Sequence, residues 1–162
     1  VVIVLSVRIR KMSTMTATIL YLLYSGLTGL TFSSIFVLYE LTSIIYVFAI
    51  TAVLFLLFGL IGYFTKLDLS RLRTYLFMGV IGLLLAYIAN IFIGSETFDL
   101  GLAVVGIVIF LGFVAYDIHI IKRNLYGIEN DDNLAIYGAF QLYIDFINIF
   151  IDLLRLFGKS RD

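Results

Sequence analysis

Five long apolar runs, separated only by short polar stretches, leave this chain few ways to fold. Crossing the hydrocarbon core of a bilayer takes about 20 apolar residues as a helix. Inside lipid, every backbone polar group must then be satisfied within the segment. Residues 14–39, Leu41–Phe64, 74–93, 100–121 and 134–157 each meet that requirement. The connections are Glu40 alone, "TKLDLSRLR", "GSETFD" and "KRNLYGIENDD", too short for a soluble second domain. Residues 1–7 read as the end of a further, partial span that stops at Arg8, Arg10 and Lys11. They carry no signal-peptide cleavage pattern, and the expectation is a C-terminal part of a longer protein. The predicted fold is all-α: one polytopic transmembrane helix bundle over residues 1–162.

Composition agrees. Of the 162 residues, 62% are hydrophobic and 14% charged, with a mean hydropathy of +1.12; soluble domains are about half apolar and a quarter charged. The net charge is zero and there is no basic tract with stacking aromatics, which argues against a nucleic-acid partner. Without cysteine there are no disulfides and no thiolate metal sites, and one histidine is too few for zinc. No proline means no proline kinks. Ser25, Gly29 and Ser33 recur every four residues, the spacing of a close helix crossing; Gly59/Gly62 and Gly79/Gly82 are weaker versions. Plain packing is the favoured reading of all three over a crossing beside a pathway.

Loop charges orient the spans. Basic clusters at Arg8/Arg10/Lys11, Lys66/Arg71/Arg73 and Lys122/Arg123 alternate with acidic ends at Glu40 and Glu96/Asp99. The basic ends should face the cytoplasm. The last span should then finish outside, yet Lys159 and Arg161 follow it. It either crosses fully, which its length favours, or re-enters.

That last span, "YGAFQLYIDFINIFIDLLRLFG", carries polar residues where lipid tolerates few. At 100° per residue, Gln141, Asp145, Asn148, Asp152 and Arg155 fall on one narrow arc. A charge at mid-bilayer costs at least about 2.5–3.5 kcal/mol, so this stripe must face the bundle interior, which makes the last helix central. Asp152 has Arg155 three residues on, a ready local ion pair. Asp145 has no cation on its own helix within a turn. The preceding span offers Asp117 in "FVAYDIHIIKRN": alone it reads as an interfacial residue paired with Lys122 and Arg123, but two antiparallel neighbours can bring it together with Asp145. Two acids in an apolar site cannot both ionise cheaply; they share a proton and titrate together. Their deprotonation would push the helices apart and leave a site for a hard, oxygen-preferring cation. His119 is read as interfacial. Arg8 or Arg10 enters at the level of Asp117 and is a candidate latch for a closed state.

With "FVAYDIHIIKRN", "LYIDFINIFIDLLRLFG" and the cluster "RIRK" before "YSGLTGLTFSSI", the chain resembles the Bax inhibitor-1 family, bacterial branch, over essentially its whole length. The resemblance implies a seven-helix bundle around a central last helix, here without the first span and most of the second. It implies a pH-sensitive calcium leak channel of the bacterial cell membrane. Asp117 and Asp145 would be the pH sensor and gate and would meet the calcium ion, and Arg8 or Arg10 the latch. Gln141, Asn148, Asp152 and Arg155 would line the pathway. No catalytic residue and no cofactor are assigned; the partners are the bilayer, calcium and protons, with any protein partner unknown.

Three other readings use the same acids. Intramembrane aspartyl proteases carry two catalytic Asp, one in a "YD" pair that Tyr116-Asp117 matches. Their second acid follows Gly-x-Gly, whereas Leu142, Tyr143 and Ile144 precede Asp145, and their Pro-containing motif cannot exist here. A regulator acting through membrane partners would use the acids as structural glue, and a proton-coupled transporter is the third alternative.

Overall fold

The computed structural model describes residues 13–125 and 132–161. Its helices are α1 (Thr14–Phe32), α2 (Ile35–Leu38), α3 (Leu41–Phe64), α4 (Leu72–Ile93), α5 (Glu96–Leu125) and α6 (Asp132–Phe157). Among the described residues there is no sheet, only one isolated antiparallel bridge between Tyr39 and Ser160. The chain is therefore an all-α polytopic bundle. Thr14–Leu38, Leu41–Phe64, Leu72–Ile93 and Glu96–Arg123 are long and apolar enough to cross a membrane. Their outward faces are apolar and bare: Phe64, Ile91, Phe92 and Val108 are all exposed, a surface that suits lipid and not water.

Side-chain oxygens decide where the helices stop. Ser13 Oγ caps α1 by accepting the Thr16 N–H at 3.2 Å. The run 14–39 is broken at Ser33–Ser34. There the Ser33 hydroxyl donates to Leu30 O and the Ser34 hydroxyl to Thr31 O, at 2.7 and 2.9 Å. Local hydroxyl-to-carbonyl bonds of this kind compete with the helix ladder. Gly94, in the left-handed region at φ 66°, ends α4. Ser95 then caps the next helix, its Oγ accepting the Phe98 N–H. This moves the start of α5 to Glu96, ahead of the apolar run at residue 100. Glu96 and Asp99 occupy its first turn and Lys122 and Arg123 its last, as the helix dipole favours.

α6 packs against α1, α3 and α5, and α5 against α3, α4 and α6. From Phe140 to Leu154 no residue of α6 is exposed; the last helix is central. Ile149, Leu153 and Leu154 of α6 join Ile44 and Val47 of α3 and Leu111 and Val114 of α5 in one core. A second, smaller core seats α1: Ala17 and Phe140 are fully buried, with Tyr24 edge-on to Phe140 at 5.3 Å.

α3 crosses α5 closely. A Cβ at Gly62 would run into the Ala115 carbonyl, and one at Gly59 would lie 2.7 Å from Ile118 Cδ1. Around Gly29 a Cβ would meet nothing within 4 Å. The weaker-looking glycine pair thus makes the tight contact, and the Ser25–Gly29–Ser33 spacing does not. α6 is one helix of 26 residues, about 39 Å long at 1.5 Å per residue. It runs from the end bearing Lys122 to the end bearing Glu40 and Asp99, without turning back.

Candidate functional site

Asp117 projects from α5 two residues beyond the Gly62–Ala115 contact, a backbone-to-backbone approach that fixes its height against α3. Asp145 projects from the middle of α6, between Phe140 in one core and Ile149 in the other. Both side chains are buried, at 9% and 5% residue exposure. The two carboxyls face each other within hydrogen-bonding reach and act on each other. Oδ2 of each has no hydrogen-bond partner among the described residues. Burying a carboxyl is costly unless it is paired or hydrogen-bonded. Among the described residues the partner within hydrogen-bonding reach of each acid is the other acid, so a proton between them is the economical arrangement.

Among the described residues, a charge of the opposite sign comes from another helix. Arg73, at the start of α4, lies near enough to act electrostatically on Asp117. In the sequence it reads as one more loop cation, and the spacing within its own segment holds no signal of its proximity. Arg8 and Arg10, the latch candidates, lie outside the described residues. His119, read as interfacial, is half-buried, and its Nδ1 is enclosed with no partner among the described residues.

The rest of the stripe divides. Gln141 and Asn148 are half-buried. The Asn148 amide donates back to Ile144 O of its own helix at 2.8 Å, so it is satisfied without the acid pair. Asp152 is buried and forms a second site with residues of three helices. The Tyr87 hydroxyl of α4 donates to Asp152 Oδ1 at 3.3 Å. Arg155 Nη1 lies 3.9 Å from Asp152 Oδ1 and 3.8 Å from Asp99 Oδ1 of α5. Its guanidinium also sits over the Tyr87 ring, 5.0 Å from the centroid. Gly106 lets Asp152 in, since a Cβ there would collide with Asp152 Oδ2. The local Asp152–Arg155 pair is present, and Tyr87 and Asp99 complete it. Neither was legible as a partner, because both come from other helices.

At the end bearing Lys122, that lysine's Nζ donates to Tyr63 O at 2.6 Å and stacks 4.3 Å from the Tyr63 ring centroid. It neutralises the C-terminal dipole of α3. Among the described residues no group of three His, Asp or Glu side chains could hold a metal ion. Two carboxyls alone fall well short of the six to eight oxygens of a resident calcium site.

The family described as "Inhibitor of apoptosis-promoting Bax1" matches residues 1–162. The inner membrane protein YbhL of Escherichia coli is 45% identical over 165 residues, covering 99% of this chain and 70% of YbhL. A protein of Borreliella burgdorferi is 40% identical over 158 residues, covering 95% of this chain and 68% of its own length. One from Rickettsia prowazekii is 41% identical over 106 residues, covering 64% of this chain and 45% of its own length.

Proposed function

We propose a function that starts from what the chain is: it belongs to the Bax inhibitor-1 family, and it is an integral membrane protein of the bacterial inner-membrane type. It acts as a pH-sensitive cation leak, with calcium as the transported ion and the Asp117–Asp145 pair as sensor and gate. The observation that carries this is the facing pair itself: two buried carboxyls on different helices, each with an oxygen lacking a partner among the described residues. With a shared proton the two helices are held together at mid-bundle. Without it, two like charges repel across a low-dielectric gap, which drives α6 away from α5. The opened gap exposes carboxylate oxygens that a hard cation prefers. The lack of a third acidic ligand among the described residues suits transit more than retention. Arg73 is a cation that acts on Asp117 from α4.

The protein is not an enzyme in this reading. The pair also has the geometry of a proton-sharing catalytic dyad, but the residues before Asp145 lack the glycines that would expose it to a substrate backbone. Two assays separate the two. The full chain in liposomes loaded with a calcium indicator should admit calcium in a pH-dependent way, and Asp117→Asn or Asp145→Asn should remove that dependence. Cleavage of single-span peptides, abolished by the same substitutions, would instead establish a protease. Calcium flux unaltered by both substitutions would refute the gate.

A further inference from the structure

The tail beyond α6 is tied down more thoroughly than a helix end requires. Gly158 N–H donates to Leu154 O at 2.7 Å, and the backbone then runs antiparallel to residues 38–40. Glu40 N–H donates to Lys159 O at 3.0 Å, and Arg161 N–H to Leu38 O at 2.8 Å. Lys159 N–H donates to Ser43 Oγ at 2.9 Å. The Lys159 ammonium pairs with Glu40 Oε1 at 2.9 Å, and Arg161 Nη1 donates to Phe36 O at 3.1 Å. A Cβ at Gly158 would strike the Leu154 carbonyl oxygen and lie 2.7 Å from the Tyr39 ring.

The carbonyls served here belong to α2, a helix of four residues whose last acceptors have no following turn to donate to them. The tail supplies those donors. It also sets two cations at the C-terminal end of that helix, where its dipole attracts them. This accounts for Lys159 and Arg161 at an end where the loop charges are otherwise acidic.

The arrangement bears on the height of α6. A slip of one helical turn along its neighbours would move Asp145 by about 5.4 Å relative to Asp117. The tail fastens α6 to the first turn of α3, and α3 is locked to α5, the helix of Asp117, at Gly62–Ala115. We infer that Lys159, Arg161 and Glu40 are positioning residues for the acid pair: the tail clasp fixes the axial register of α6 so that Asp145 meets Asp117. The functional part of this inference rests on the pair being a pH-dependent gate; the register part does not.

The chain has no cysteine, so a register reporter can be introduced cleanly. A Cβ at Gly138 would lie 2.8 Å from Ile121 Cδ1, far from the tail. Ile121→Cys with Gly138→Cys therefore reports the α5–α6 register through its oxidation yield, in the full chain in lipid nanodiscs. Arg161→Pro removes a backbone donor and a guanidinium together. Lys159→Glu sets two anions against each other while leaving the backbone bridge, and remains informative if Arg161→Pro does not fold. Each should lower the yield several-fold and displace the pH midpoint of cation flux. Adding Glu40→Lys to Lys159→Glu should restore both. An unchanged yield in Lys159→Glu, or a loss that the charge swap does not restore, overturns the clasp. A yield that falls and recovers in a protein without pH-dependent flux supports the clasp and counts against the gate alone.

Discussion

Asp145 and Asp152 stand two turns apart on the same helix and on the same face, yet their surroundings are opposite. Asp152 has a hydroxyl donor in Tyr87, a cation in Arg155 and a glycine that makes room for it. Asp145 has another acid, and each of the two keeps an oxygen without a partner among the described residues. The difference separates a polar group that holds helices together from one that holds them only while a proton is present. Burial alone does not distinguish the two acids, which are 5% and 6% exposed. The chemistry of the neighbour does.

The comparison breaks most clearly if both acids respond alike to an apolar isostere. Asp152→Leu strands the Tyr87 hydroxyl and half of the Arg155 pairing. It should destabilise the bundle by about 1–3 kcal/mol, the cost of leaving buried partners unsatisfied. Asp145→Leu should stabilise the bundle at alkaline pH, where it removes the repulsion between two facing carboxylates, and should cost about 1–3 kcal/mol at acidic pH, where it strands the buried Asp117 carboxyl. Thermal unfolding in one detergent at both pH values checks the signs; the same sign for both acids at alkaline pH would dissolve the distinction. A finer cut is Tyr87→Phe, which keeps the ring under Arg155 but removes one long hydrogen bond. The expected loss is about 0.5–1.5 kcal/mol, and the pH dependence of flux should not move.

The smallest effect concerns an acid in water. Asp68, in the loop before α4, accepts from the Ser70 hydroxyl and backbone N–H, which hold its carboxyl below the ordinary carboxylate value. Because its folded value is depressed, its stabilising contribution is present above the ordinary value and is lost as pH falls through the folded one. Ser70→Ala should return the Asp68 titration, followed by NMR, toward the ordinary value while leaving flux at neutral pH unchanged. An Asp68 titration that ignores Ser70 would refute this local account.

Much of this was readable in the residues. The apolar runs forecast the helices, and the arc of Gln141, Asp145, Asn148, Asp152 and Arg155 forecast a buried last helix, because helical period and the cost of charge in lipid are local rules. Partners drawn from other helices were not readable. Arg73, Tyr87 and Asp99 became partners through packing that single-helix periodicity does not encode. The same limit applies to the small-residue spacings, where Gly59/Gly62 found a neighbouring backbone and Gly29 did not. The cations of the tail looked like an exception to the charge pattern. Their partners, Glu40 and the carbonyls of α2, lie more than a hundred residues earlier in the chain.

The central claim is that one proton decides whether Asp117 and Asp145 stay together. Its most direct test is the separation of the two carboxyls in the full chain, determined in lipid at acidic and at neutral-to-alkaline pH. The account predicts carboxyls within hydrogen-bond distance at acidic pH and clearly parted, with α6 displaced from α5, once the pair is deprotonated. An identical separation at both pH values, alongside a flux that still changes with pH, would contradict it.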